Sequence, residues 1–426
     1  MFRIVALAFR RLFHAGQPSQ GSIQVINMLY YIHLRLYIMA DALEGKARPA
    51  KNRTFTKEDF QYPKMEQIIP LTKDLIRFKS MHSKPSEIRR CVTFIENFLN
   101  THKMEYRRID HPKVPSILVA PSSGFVPLLL MSHIDVVDSP DKRFVPVEKD
   151  QRLYGRGSLD DKYAVALSLV LLKKHLKRLR NQGKGPDDLP FGILITSDEE
   201  IGGFNGAKKA LEKIKTDFCI VLDGGSVEKI VVKEKGLLRL KLISRGKIAN
   251  EPNPWRGENA LEKLIDDYIK IRTYFVRSAP EHWHRDVTIS RIEAGKRFHR
   301  VPKYAEAILD IRYTENDAME AFMAKVQKEL HSTVVIKSIT PIFHEGPSSY
   351  LDLLLAISKN TAVGFEDGSN DARFLSEYGI NGIVWGADGD QSQHSETEHV
   401  NVESVYSLYR FLDAFIDQLP MGPHTV

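Results

Sequence analysis

From Met65 onward the sequence alternates short, unbroken apolar runs with longer amphipathic stretches, and this rhythm is what most constrains the fold. In order, MEQIIPLTKDLIRFKS, SILVA, VPLLLMSHIDVV, KYAVALSLVLLKKHLKRLR, FGILITS, NGAKKALEKI and FCIVLD read as helix, strand, strand, helix, strand, helix, strand. A short apolar run without polar alternation suits a strand covered on both faces. The alternation therefore predicts an α/β fold, a mainly parallel, doubly wound sheet flanked by helices. Polar residues gather where the runs end: His133 and Asp135 after VPLLLMS, Asp198 to Glu200 after FGILIT, and Asp223 after FCIVL. Open α/β sheets bind ligands at that edge.

Between about Gly236 and Thr340 the pattern changes. Strand LLRLKLIS, helix ENALEKLIDDYIKI, strands VTISRIE and AEAILDIRY, helix NDAMEAFMAKVQKEL and strand TVVIKSI follow the βαββαβ order of a ferredoxin-like unit. The parent pattern resumes with helix YLDLLLAIS, DARFLSEYG, strand INGIVWGA and helix SVYSLYRFLDAFIDQL. The expected organisation is a parent domain from residues 65–236 and 343–426, an inserted domain at 237–342, and an N-terminal extension at 1–64.

Charge excludes one class of partner. The 426 residues carry a formal net charge of +7, which raises the possibility of nucleic acid. Ten of the 61 Lys and Arg but only four of the 54 Asp and Glu precede Met65, so 51 basic and 50 acidic residues remain for the body. No aromatic-rich basic strand or zinc-finger spacing is present either, and no nucleic acid partner is expected. The prefix MFRIVALAFRRLFHAG reads as an organellar targeting segment or as an extension ahead of a start at Met39 or Met65. His33 and Arg35 interrupt the apolar stretch SIQVINMLYYIHLRLYIMA, so no transmembrane helix is predicted. Cys91 and Cys219 are too few for a disulfide framework or a thiolate zinc site, which points to a reducing compartment: the cytoplasm, or an organelle if the prefix is an address.

His133, Asp160, Glu200, Asp223 and His394 follow strands or lie in Gly-rich turns, and their nitrogen and carboxylate oxygen donors suit zinc. Three carboxylates and two imidazoles are too many for one tetrahedral ion that also holds water. They suit two ions sharing one bridging carboxylate. Two residues from His133 on an extended segment, Asp135 can share its face and fix its tautomer. In Asp198-Glu199-Glu200 we assign Glu200 to metal and Glu199 to proton transfer. Each element alone has a plainer reading: a surface His-Asp pair, an acidic helix start, a turn aspartate, a polar loop. In DGDQSQHSETEHV, spacing alone does not choose between His394 and His399.

Taken in order, SHIDVVD, YGRGSLDDKYA, TSDEEIGGFNGA, IVLDGG and QHSETEHV resemble the dinuclear zinc hydrolases that include succinyl-diaminopimelate desuccinylase, acetylornithine deacetylase, aminoacylase, carnosinase and glutamate carboxypeptidase. The resemblance spans about Met65 to the C-terminus. It implies two zinc ions per chain, with cobalt or manganese as alternatives, held by His133, Asp160 as bridge, Glu200, Asp223 and His394. It implies that Asp135 orients His133, that Glu199 is the general base, and that the bond between Asp160 and Asp161 is cis. The His-x-x-x-Glu pattern of the family selects His394, paired with Glu398. The inserted domain is then a lid that often forms homodimers.

Two positions depart from the family. Its lids usually carry a His where SRGKIANEPN has Asn250, and usually an Asn where FHRVP has His299. An exchange of roles between Asn250 and His299 is a hypothesis that His299→Ala tests. NDARFLSEYG resembles the segment whose Arg, here Arg373, binds a substrate carboxylate. Asp223, LDDK and LDGG look more like the peptidase branches. The expected function is zinc-dependent hydrolysis of the amide bond of a small peptide or N-acyl amino acid. An N-acyl-amino-acid deacylase is the nearest alternative, and a catalytically silent metal-binding homologue is the alternative of another class.

Overall fold

The computed structural model describes residues 67–111, 114–250, 252–275, 282–346 and 348–419, all within one compact unit, Pro63–Val426. The expectations for the N-terminal extension lie outside the described residues. Among those residues, no helix is long and apolar enough to cross a membrane.

Helices Ile68–Ile76 (α1) and Pro85–Thr101 (α2) precede strands Arg107–His111 (β1), Val114–Val119 (β2) and Phe125–His133 (β3). Strands Val147–Lys149 (β4) and Arg152–Tyr154 (β5) lead into helix Lys162–Asn181 (α3), followed by Phe191–Thr196 (β6), Ala207–Leu211 (α4), Lys215–Val221 (β7) and Lys229–Glu234 (β8). Next come Gly236–Arg245 (β9), Ala260–Arg272 (α5), Asp286–Ala294 (β10), Tyr304–Tyr313 (β11), Met319–Glu329 (α6) and Thr333–Thr340 (β12). Phe343–His344 (β13), Ser349–Ile357 (α7), Ala362–Glu366 (β14), Arg373–Tyr378 (α8), Asn381–Val384 (β15), His399–Asn401 (β16) and Val402–Ile416 (α9) complete the order.

The nine-stranded central sheet runs β1-β2-β6-β3-β7-β15-β8-β13, with β14 also on β8. Its four central strands, β6, β3, β7 and β15, are parallel. Toward the edges, β1 and β2 on one side and β8 and β13 on the other join antiparallel, so the parallel pattern belongs to the centre. One cause is the link from β7 to β8, residues 222–228, which is too short for a helical crossover. A separate three-stranded sheet, β16-β5-β4, was not anticipated. Its strands are short and have no apolar run.

Burial explains the unbroken apolar strands. In β3, Leu128 and Leu130 join the core under α1, α3 and α9, whereas Leu129 and Met131 join the core under α4 and α8. Both faces are covered, so the strand is apolar from Val126 to Met131 and turns polar only where it reaches the site. Helix α3 is buried at every position from Lys162 to Leu172, as expected of a helix packed between the sheet and its neighbours. The inserted sheet, β10-β11-β9-β12, is wholly antiparallel. In β9, Leu238, Leu240 and Leu242 are buried against Leu264 of α5 and Phe322 and Val326 of α6, while intervening residues are more exposed. One covered face produces the period-two pattern.

Candidate metal centre

All the candidate ligands lie at the C-terminal edge of the parallel strands. His133 ends β3; Glu199 and Glu200 form a turn after β6; Asp223 follows β7; His394 lies in the loop after β15. Asp160 stands just before α3, and the peptide bond from Asp160 to Asp161 is cis. After Asp223 the chain reverses through Gly224 and Gly225, at φ 131° and 67°, conformations that glycine adopts without steric cost.

Asp160 occupies the middle. Its Oδ1 lies 2.9 Å from Nε2 of His133 and its Oδ2 lies 2.9 Å from Nε2 of His394. His394 Nε2 is also 3.1 Å from Glu200 Oε2, and His133 Nε2 is 3.7 Å from Asp223 Oδ2. Two groups of donors result, His133 with Glu199 and Asp223, and Asp160 with Glu200 and His394. His394 has φ 61°, left-handed backbone that a side-chain-bearing residue rarely adopts, and this aims its ring back at Asp160.

Asp135 is fully buried beneath this site. Its backbone carbonyl lies 3.0 Å from His133 Nδ1, its Oδ1 and Oδ2 accept the N–H groups of Glu199 and Glu200 at 3.3 and 3.0 Å, and its Oδ2 lies 3.1 Å from His82 Nε2. Asp135 thus meets the His133 imidazole through its carbonyl, with carboxylate Oδ1 3.4 Å from the same nitrogen, and holds the Glu199-Glu200 turn through its carboxylate. Burial opposes its ionisation, but hydrogen bonds from His133 and His82 outweigh this and pull it down to about 2.

The other acids divide by environment. Burial likewise opposes ionisation of Asp160, yet contacts with His133 and His394 hold its carboxyl well below the usual range. Burial raises Asp223 well above its usual value, and the charge of Asp160 adds to this. Glu199 is also raised well above the ordinary glutamate range, by burial and then by Asp371 and Asp223. His394 is raised to about 10 by its contacts with Asp160 and Glu200.

Arg373 starts α8 and is buried; its NH2 lies 3.7 Å from Glu199 Oε1 and 3.5 Å from Asp371 Oδ1. Its Nε and NH2 have no hydrogen-bond partner. Asn250 and His299 stand apart from this cluster. Both are exposed, on neighbouring segments joined by a bridge between Asn250 and Arg300. His399, the rival of His394, hydrogen-bonds instead to Asp390 and the Thr397 carbonyl. Sequence reasoning missed His82 and Asp371. His82 sits in the loop after α1, where no motif announces it; Asp371, two residues before Arg373 in NDAR, carried a readable signal.

The donor set fits divalent cations. His133 Nε2 and Asp160 Oδ1 are buried 2.9 Å apart with no partner in hydrogen-bond geometry, and carboxylates crowd around them whose like charges a cation would neutralise. Hard oxygen donors with imidazole suit zinc and its neighbours. Fold and site together define a candidate centre for divalent cations at the C-terminal edge of a parallel sheet.

Residues 129–418 match Peptidase family M20/M25/M40, and the chain belongs to that family. It is 26% identical over 377 residues to succinyl-diaminopimelate desuccinylase of Wolbachia pipientis subsp. Culex pipiens (strain wPip), covering 82% of this chain and 92% of the relative. The fold resembles that of an M20 family metallo-carboxypeptidase from Sulfolobus solfataricus, with a TM-score of 0.67 at 17% identity over 84% of this chain and 99% of that one. It also resembles a dinuclear metal-binding M20 peptidase from Bacillus subtilis, with a TM-score of 0.55 at 14% identity over 84% and 98%.

Proposed function

We propose that the protein hydrolyses the amide bond of a small peptide or N-acyl amino acid at a site for two divalent cations, with Glu199 moving the proton. The observation that carries this is Asp160, whose two oxygens each stand 2.9 Å from a different imidazole. His133, Asp160 and Asp223 would hold one cation, and Asp160, Glu200 and His394 the other; zinc is the expected metal, with cobalt or manganese as alternatives. When bound, such cations supply Lewis acidity that polarises the amide carbonyl and acidifies water near neutral pH.

Glu199 falls in one donor group with His133 and Asp223, and in this reading Asp160 would be the carboxylate shared by the two cations. The Glu199 carboxylate would take a proton from the attacking water and pass it to the leaving amine. Asp135 fixes the His133 tautomer and the turn bearing Glu199. Arg373, whose Nε and NH2 have no hydrogen-bond partner, would bind a substrate carboxylate. We retain residues 237–342 as a ferredoxin-like lid, supported by their βαββαβ order and the strand order β10-β11-β9-β12. Asn250 and His299 would meet substrate on that lid. Exposed Ile265 and Ile269 on α5 and Ile336 and Ile339 on β12 suit a homodimer contact.

Asp223, LDDK and LDGG favour peptidase action; the desuccinylase relative favours the second reading, removal of an acyl group from an N-acyl amino acid. Metal analysis combined with a panel of dipeptides and N-acyl amino acids tests both. Faster cleavage of dipeptides supports the first reading and faster release of acyl groups the second. Two zinc ions per chain without hydrolysis of any amide would refute both.

A further inference from the structure

We infer that the buried pair Arg156–Glu398 is a positioning clamp that holds Asp160 and His394 in register, a role that rests on the proposed metal site. Glu398 Oε1 accepts the backbone N–H of Gly157 at 2.9 Å, of Leu159 at 3.2 Å and of Asp160 at 3.3 Å. Its other oxygen, Oε2, pairs with NH1 of Arg156. Arg156 NH2 then donates to the carbonyls of His394 at 3.3 Å and Ser395 at 3.2 Å. Both side chains are almost wholly buried, 6% and 2% exposed.

The clamp therefore joins the turn that presents Asp160 to the loop that presents His394. Neither segment is held by regular structure. Asp160 precedes the first turn of α3, and His394 lies in irregular chain at φ 61° with its side chain 52% exposed. A buried ion pair is a poor way to add stability, because desolvation cancels much of the Coulomb gain. What it adds is geometry: a planar guanidinium fork and a two-oxygen carboxylate fix several backbone groups at once. Asp160 faces both imidazoles, whereas His394 approaches only Asp160 and Glu200. Loosening the clamp should therefore weaken one cation position more than the other.

The test is calorimetric titration of the metal-stripped full chain with Zn2+, alongside thermal melting. The wild type should take up two equivalents. In Glu398→Gln and Arg156→Met, one equivalent should bind about 10- to 100-fold more weakly, the loss typical when a group behind a metal ligand is removed, while the other changes less. Arg156→Lys, which keeps a charge for Glu398, should recover part of the loss relative to Arg156→Met. Melting at a lower temperature with both affinities intact would make the pair merely structural and overturn the clamp, as would equal weakening of both equivalents. A wild type that binds no zinc would overturn the metal reading and the clamp together. If Arg156→Met does not fold, Glu398→Gln and Arg156→Lys carry the same comparison.

Discussion

Replacing Glu199 by Gln separates the proposed chemistry from the scaffold. The change keeps the shape and removes one negative charge from a buried group beside Asp371 and Asp223. Arg373 NH2 stands 3.7 Å from Glu199 Oε1, beyond hydrogen-bond reach, so no hydrogen bond is lost there. Removing a crowded like charge should leave the metal-free protein as stable as the wild type or slightly more so. Activity should respond very differently. General acid–base catalysis contributes about 10²- to 10⁴-fold, or roughly 3 to 5 kcal/mol of barrier at about 1.4 kcal/mol per decade. The assay is kcat and KM on the best substrate of the panel, with zinc content and thermal melting measured on the same preparation. The expected result is a fall in kcat of at least a hundredfold with zinc content and melting unchanged. The base must be deprotonated to work, so wild-type kcat/KM should fall as pH drops through the Glu199 pKa, and the variant should lack that limb. Residual turnover within tenfold of the wild type, or loss of a zinc equivalent, would refute the assignment.

Asp135→Asn should weaken zinc binding about 10- to 100-fold, measured by competition with a chelator. It should also cost the metal-free protein about 2 kcal/mol at pH 7, because Asp135 is pulled from 3.8 to about 2 in the fold. A depressed carboxyl contributes stability that is full above its unfolded value and lost as pH falls through its folded one, so urea melts should show the gap closing between about pH 4 and pH 2. Leu129→Ala, at a fully buried site in β3, should destabilise by about 2 to 5 kcal/mol in urea melts while a folded sample keeps its zinc. His299→Ala should lower turnover at least tenfold if His299 supplies the imidazole that Asn250 lacks; unchanged kcat would end that hypothesis.

Most of the catalytic frame was legible in the chain because its signals are local. The runs FVPLLLM and FGILI are apolar at every step because helices cover both faces of β3 and β6, and GLLRLKLISR alternates because only one face of β9 is covered. The acids and histidines that follow strands could be read as an edge cluster because parallel strands bring their C-terminal ends together. The antiparallel joining of β8 to β15 and the small sheet β16-β5-β4 were not legible, since one- and three-residue pairings leave no periodicity.

What the sequence alone determined is which residues are buried and which chemistry the turns carry, because side-chain periodicity and residue type are properties of neighbours in the chain. Only the tertiary structure decided that Asp160 stands between two imidazoles, that His82 reaches Asp135, and that Arg156 meets Glu398 across 242 residues. Those contacts depend on where separate strand ends and loops meet in space. No local pattern encodes such a meeting, and each single side chain there is equally at home on a surface loop.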